Sequence, residues 1–338
     1  MIKVPKLLAD KWKKGTDFLG TELAIIGGAM SWISEHNLVA AISESGGFGT
    51  LAGGALSAKE LREEIRKTKE LTQKPFGVNI IVMHPEIEEL IDTCLEEKVT
   101  HIVLAAGIPS VNIIKRIKDG GAKSIAFAPA LVIAKKLVKN GIDAIIIEGM
   151  EAGGHVGAVS TMVLAQEILP HVKEVPVFVA GGIGRGEAII ASLVLGASGV
   201  QLGTRFVCAK ESIVPENFKK LFIKASAREA IPSKQLDERF PIISVRGIEN
   251  EANKKFIEKQ KEVIEKFDKG ILGREAAQLE IERFWAGSLR RAVIDGDVEM
   301  GSVMAGQSVG LVSKEQKTEE IMEELVAQAT ETLSLHSV

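Results

Sequence analysis

Val175–Arg205 reads VPVFVAGGIGRGEAIIASLVLGASGVQLGTR. A short apolar run, Val175–Ala180, stops at the pair Gly181-Gly182. A helical pattern follows over Glu187–Leu195, and a second apolar run, Gly199–Gly203, leads into Thr204 and Arg205. Neither run alternates apolar with polar residues. Each suits a strand buried on both faces, as in a parallel sheet covered by helices.

Working upstream, the same rhythm recurs. Apolar runs occupy Leu23–Gly27, Phe48–Ala52, Phe76–Val82, Thr100–Ala106, Lys123–Ala128 and Asp143–Glu148. Helical patterns between them cover Glu35–Ser45, Ala58–Leu71, Pro85–Glu97, Ser110–Lys118 and Ala130–Asn140. Ser57 and Glu60 form a capping box in which hydroxyl and carboxylate each satisfy a free backbone donor. Eight strands of this kind predict an α/β chain closed into a (β/α)8 TIM barrel. An open doubly wound sheet also alternates strand and helix. The barrel is favoured because the count reaches eight and because glycine clusters follow the last two strands, where barrels bind phosphate.

Downstream of Arg205 the texture changes. Pro215–Lys269 is charged and helical in character, with an extended break expected at Phe240–Val245 (FPIISV). Arg274–Val293 and Glu315–Leu333 read as amphipathic helices. The expected division is a barrel over residues 1–212, a mostly helical cap over 213–284, and a segment over 285–338 that packs back on the barrel.

Composition narrows the function. The 338 residues carry 42 Lys+Arg and 45 Asp+Glu, a net charge of -3, which argues against a nucleic-acid binder. No apolar run approaches the roughly 18 residues of a membrane span, and Met1–Gly20 lacks the apolar stretch of a signal peptide. A soluble, cytoplasmic protein is expected. Two cysteines cannot build a disulfide framework or a four-thiolate zinc site. With no tyrosine in the chain, no phenol can act as an acid.

In a barrel the active site gathers at the C-terminal ends of the strands. Those exits hold Gly28-Ala29-Met30, Gly53-Gly54, Asn79 with His84, Ala106-Gly107, Glu148 to Gly157, Gly181-Gly182, and Gln201 with Gly203-Thr204. Turn formation alone accounts for part of these glycines. Gly181-Gly182 with Gly203-Thr204, beside a helix starting near Arg185, is the candidate phosphate cradle. Gly182 to Gly186 (GIGRG) lacks the spacing of a dinucleotide fingerprint. His155, on a glycine-flanked loop, is the candidate acid–base group. His84 ranks second. His101 lies at the stability end of its strand, and His36, His171 and His336 read as surface residues. No two histidines have metal-ligand spacing, so no metal is expected. Cys94 and Cys208 read as small buried hydrophobes.

Three stretches carry a resemblance: Glu148-Gly149-Met150-Glu151-Ala152-Gly153-Gly154-His155-Val156-Gly157, Val179-Ala180-Gly181-Gly182-Ile183, and Gln201-Leu202-Gly203-Thr204-Arg205-Phe206. Together they resemble the nitronate monooxygenase (2-nitropropane dioxygenase-like) family of FMN-dependent TIM barrels, over about Gly20 to Gln328. That family is close to the flavin-dependent enoyl-acyl-carrier-protein reductase branch. The resemblance implies that Gly28, Ala29 and Met30 run under the flavin and that Asn79 bonds its ring or ribityl. It implies that Gly181, Gly182, Gln201, Gly203 and Thr204 hold the phosphate end, that Gly154 and Ser160 adjoin the cofactor, and that His155 is the base.

The implied reaction oxidises an alkyl nitronate with O2 to a carbonyl compound and nitrite. Ala29-Met30 stands where that family carries Pro-Met. Trp285-Ala286-Gly287-Ser288, Gly296-Asp297 and Gly301 to Gln307 resemble the reductase branch, which implies NADH or NADPH as electron donor and an enoyl thioester or quinone as acceptor. A non-enzymatic FMN or phosphosugar-binding barrel is the third reading. No nucleic-acid or membrane partner is implied, and a homodimer is compatible with the pattern.

Overall fold

The computed structural model describes residues 2–285 and 287–335. Met1, Ala286 and His336–Val338 lie outside the described residues, and the expectations for Ala286 and His336 lie there with them. Among the described residues eleven strands run in chain order. They are β1 (Ile25–Gly27), β2 (Phe48–Ala52), β3 (Phe76–Ile81), β4 (His101–Ala105), β5 (Lys123–Phe127), β6 (Ala144–Glu148), β7 (Gly154–His155), β8 (Val177–Ala180), β9 (Gly199–Leu202), β10 (Ala230–Pro232) and β11 (Val245–Ile248).

Eight of them close a parallel barrel in the order β1-β2-β3-β4-β5-β6-β8-β9, with β9 pairing back to β1. These are the eight runs read from the sequence, trimmed at their ends. The first begins at Ile25 rather than Leu23, because the Leu23 amide already donates to Gly46 O (2.9 Å) outside the ladder. The helix Thr161–Ile168 after the sixth barrel strand and the N-terminal helices Lys6–Lys11 and Lys13–Leu19 escaped the sequence reading.

Parallel pairing alternates residues between an inner and an outer face. Outward residues such as Leu51, Val78, Ile102 and Leu104 pack against the surrounding helices and form the larger core. Each such buried side chain contributes about 1.5–3 kcal/mol. The strand register sorts inward residues into layers of four drawn from alternate strands, as barrels of this type do. Ile26, Gly77, Ile125 and Phe178 fill one layer. Thr50, Val103, Ile146 and Gln201 lie above it, and then Gly28, Asn79, Phe127 and Ala180. The rim layer at the C-terminal mouth is Ala52, Ala105, Glu148 and Gly203.

The C-terminal helix Thr318–Leu335 packs along the helix Gly186–Val194 that follows β8. Contact is close because residue 186 has no side chain: a Cβ there would stand 2.3 Å from the Ala329 nitrogen. Gln328 Oε1 accepts from the Gly186 amide at 2.9 Å.

Beyond the barrel, β10, β11 and β7 form a small antiparallel sheet. A satellite core of Phe240, Phe256, Val263, Ala277 and Ile281 lies beneath the helices Glu251–Asp268 and Arg274–Phe284. One expectation is refined here and one changes. Phe240 drops into that satellite core, and only Val245–Ile248 pairs as a strand. The single helix expected over Arg274–Val293 is two, Arg274–Phe284 and Ser288–Val293, with Gly287 left-handed (φ 72°) between them. Among the described residues, no helix is long and apolar enough to cross a membrane.

Candidate active site

The mouth of the barrel is a shallow dish. Three of its four rim positions are Ala52, Ala105 and Gly203, whose side chains reach no further than Cβ, and all are half-buried. Beside the dish, the β1 exit folds toward the β9 exit. A Cβ on Gly28 would lie 3.0 Å from Gln201 Cδ, and one on Gly203 would lie 3.6 Å from Met30 Sδ. Ser34 fixes this loop, accepting from the Met30 amide (2.9 Å) and donating to Gly28 O (3.2 Å). Gly28, Met30, Gln201 and Gly203 are therefore neighbours, with Ala29 on the same loop. Asn79 stands on β3, where its side-chain amide donates to Val103 O (3.2 Å) and its carbonyl lies beside Gly53.

The β8 exit is an anion cradle built of backbone. Gly181 (φ 94°) and Gly182 (φ 72°) are both left-handed, a conformation that costs a side-chain-bearing residue about 1–2 kcal/mol. Among the described residues, the N–H groups of Gly182, Ile183 and Gly184 donate to no protein acceptor. Buried backbone donors left in this state are rare and call for a ligand or water. The helix Gly186–Val194 begins immediately after them, so its positive end faces the same place.

A cleft of ≈ 360 Å³ opens here, lined by Glu151, Thr161, Gly181, Gly182, Gln307 and Ser308 among others. Glu151 accepts from the Thr161 amide (2.9 Å) and hydroxyl (2.8 Å). Thr204 Oγ1 accepts from the Gly306 amide (2.9 Å), which leaves its own hydroxyl proton free to donate. Ser160 is the N-cap of the helix Thr161–Ile168, and its side chain makes no capping bond.

His155 departs from expectation in one respect: it lies on a strand, not a loop. As β7 it pairs with Val245, while Gly154 pairs with Arg246. Buried Arg246 ties this segment to the cap. Its Nε donates to Met150 O (3.0 Å) and its Nη1 to Ala230 O (2.5 Å). Met304 lies against Gly154, where an added Cβ would be 3.5 Å from Sδ. The His155 ring is open to solvent on one side, and the protein around it lowers its pKa by removing water that would stabilise the imidazolium. Both facts favour a neutral, accessible imidazole, the form that accepts a proton.

His84 is used locally, its Nδ1 accepting from the Glu86 amide at the start of the following helix (3.1 Å). Cys94 and Cys208 are buried, and burial pushes both thiols up to about 12, so neither is a nucleophile. His36 meets Glu64 (2.7 Å) and Glu35 (2.9 Å) in a hydrogen-bonded cluster linking two helices.

Sequence reasoning missed Arg246, the Glu151–Thr161 pair and two left-handed residues at strand exits, Trp32 (φ 66°) and Ala106 (φ 53°). Only Glu151 carried a sequence signal, its place in the glycine-rich stretch before His155. The others depend on contacts between distant segments.

The family model described as Nitronate monooxygenase matches residues 13–94 and 86–328. The chain is 31% identical over 350 residues to a probable nitronate monooxygenase of Staphylococcus aureus, covering 89% of this chain and 94% of the relative. It is 30% identical over 336 residues to a (3aS,4S,5R,7aS)-5-hydroxy-7a-methyl-1-oxo-octahydro-1H-indene-4-carboxyl-CoA dehydrogenase of Rhodococcus jostii, covering 93% and 94%. Among solved structures it is similar to FabK of Thermotoga maritima, with 36% identity, TM-score 0.85 and coverage of 95% and 96%. A nitroalkane oxidase of Streptomyces ansochromogenes, 24% identical with TM-score 0.77 over 95% and 99%, shares the fold.

Proposed function

The chain belongs to the nitronate monooxygenase family and is a flavin-dependent oxidoreductase; on that premise we propose that its cofactor is FMN and that it oxidises alkyl nitronates with O2 to a carbonyl compound and nitrite. The observation that carries the cofactor is the row of free backbone donors at Gly182, Ile183 and Gly184 next to a helix start and a mouth of small residues. A dianionic phosphate suits the first and a flat ring the second.

In this reading Gly181 to Gly184, Gly203 and the Thr204 hydroxyl hold the phosphate. Gly28, Ala29 and Met30 line the ring from the β1 exit. Asn79 and Gln201 supply polar contacts from below, and Gly154 and Ser160 adjoin the cofactor. When bound, the flavin supplies the electron transfer between substrate and acceptor. His155 removes the proton next to the nitro group of a neutral nitroalkane, or orients the nitronate oxygens once the anion is formed. The strand pairing with β11 holds its backbone, and Arg246 holds the loop leading to it.

A second reading has a specific observation behind it. Identity to the Thermotoga FabK (36%) exceeds that to the Staphylococcus relative (31%). The tail motifs at Ser288 and at Gly301 to Gln307 point the same way. On that reading NADH or NADPH reduces the flavin, and an enoyl thioester or quinone takes the electrons.

One experiment separates the two. The yellow protein is mixed anaerobically with NADH, with NADPH and with propionate 3-nitronate. Bleaching by the nitronate alone is the result expected. Rapid bleaching by a nicotinamide with none by the nitronate would overturn the first reading in favour of the second.

A further inference from the structure

Glu148 ends β6 and follows Ala144 and Ile146 along the face that looks into the barrel. The register sets it in the rim layer with Ala52, Ala105 and Gly203. Those three offer no atom beyond Cβ, so the Glu148 carboxyl is the one functional group of that layer. Among the described residues it forms no hydrogen bond and no ion pair. A second polar group in the upper barrel also lacks a partner: Thr50 Oγ1, two layers below, is fully buried, whereas the Glu148 carboxyl stands at the half-buried rim. Polar side chains enclosed without partners are rare in folded proteins and normally meet a ligand or ordered water. Thr50, Asn79, Gln201 and Glu148 thus rise toward the mouth on four different strands, and only Glu148 carries an ionisable proton.

We propose that Glu148 is a direct hydrogen-bonding contact of the flavin ring, donating its carboxyl proton to an acceptor on the ring system. The proposal rests on the FMN reading above.

Among the described residues its surroundings supply no competing charge. The inward positions of the neighbouring strands are Phe127 on β5 and Ala180 on β8. On the loop after β6, Glu151 is engaged by Thr161 and His155 lies on β7. Arg246, from β11, is committed to two carbonyl oxygens. Burial is the sole cause of the upward shift of Glu148, which reaches about 7. Below that pH the group is a neutral donor; above it, a carboxylate next to a ring acceptor would repel rather than bind.

The test uses the FMN-loaded protein and needs no turnover. Oxidised flavin does not itself ionise near neutrality, so its absorbance spectrum reports a neighbouring group. The wild type should show one spectral step with its midpoint at or above about pH 7, since donation to the flavin favours the protonated form. Glu148→Gln keeps a donor of the same shape. It should abolish the step and bind FMN within about threefold of wild type, while Glu148→Ala should weaken FMN binding about tenfold. His155→Gln should leave the step in place.

A step that survives in Glu148→Gln, or an alanine variant that binds FMN as tightly as wild type, overturns the proposal. A step lost in His155→Gln but kept in Glu148→Gln overturns it too. If the alanine variant does not fold, the spectral comparison with glutamine still decides. A wild-type protein that takes up no FMN would sink the cofactor reading as well, whereas uptake that ignores residue 148 sinks only this contact.

Discussion

At the N-terminal end of the barrel Phe18, His101, Phe48 and Lys123 close on one another; at the C-terminal end Ala52, Ala105, Gly203 and Glu148 stand apart. The His101 ring meets Phe18 (5.2 Å) and Phe48 (4.9 Å) edge-on. Its Nε2 donates to Phe18 O (3.0 Å), and the Thr100 hydroxyl donates to its Nδ1 (2.9 Å). Lys123 lies over the Phe18 ring and donates to the same carbonyl (2.5 Å). The donors of His101, Thr100 and Lys123 find acceptors within the chain. At the other end, backbone amides, a hydroxyl and a carboxyl are left for something the chain does not supply. The same eight strands thus carry a stabilised end and a receptive end, the division barrels use between stability and chemistry.

Four measurements would break or sharpen that division. The largest effect belongs to the receptive end. His155→Asn should lower kcat/KM for a neutral nitroalkane by roughly 10²–10⁴ while leaving the melting temperature in place. The loss should be far smaller for a preformed nitronate, which has no proton to give up. Equal rates with the neutral substrate would remove the base.

Trp12→Ala probes the closed end. Trp12 is fully buried, and its loss should cost about 3–5 kcal/mol in urea denaturation with FMN affinity unchanged. An equal drop in FMN affinity would mean that the two ends are not separable.

The third measurement is the pH dependence of stability in the cofactor-free protein, where the ends should move in opposite directions. Burial lowers His101 to about 4 from 6.5, so between those values the unfolded chain binds a proton that the folded one refuses. Stability from this group falls by up to about 3 kcal/mol as pH drops through that window. Glu148 is raised from 4.5 to about 7, so the folded chain holds the extra proton. Its contribution is full below 4.5 and lost as pH rises through 7, by about 2 kcal/mol given the half-open rim. Glu148→Gln should therefore be more stable than wild type above pH 7 and no different in acid. Parallel curves for the two proteins would contradict the assignment.

Smallest is Gly203→Ala. The added Cβ meets only the Met30 side chain, Sδ at 3.6 Å and Cγ at 3.7 Å, so stability should stay within about 0.5 kcal/mol. FMN binding should weaken several-fold, because the methyl group would occupy the mouth. Unchanged affinity would place the cofactor away from Gly203.

The barrel was legible because buried parallel strands leave continuous apolar runs that local sequence cannot disguise. Glycine pairs marked the strand exits for the same reason. The N-terminal plug was not legible: Lys6–Lys11 and Lys13–Leu19 are short, lysine-rich helices whose value lies in where Trp12 and Leu19 are buried. The small sheet was hidden because β7 has two residues and its partner comes from a distant segment. Phe240–Val245 reads as an extended break, and the segment is free of helix, but its apolar content does not reveal that Phe240 is claimed by aromatic neighbours on the cap helices. Glu148 was visible as a strand-end acid, but its isolation is a property of the rim that no local pattern records.

The pairing of His155 with Val245 has a consequence for the order of events in a cell. Synthesis delivers the last barrel strand, at Leu202, well before it delivers the segment that clasps the histidine. All eight barrel strands are therefore made while His155 still lacks its strand partner. The clasp on that imidazole belongs to the final third of translation, and so does the helix Thr318–Leu335 that seals the barrel's own core.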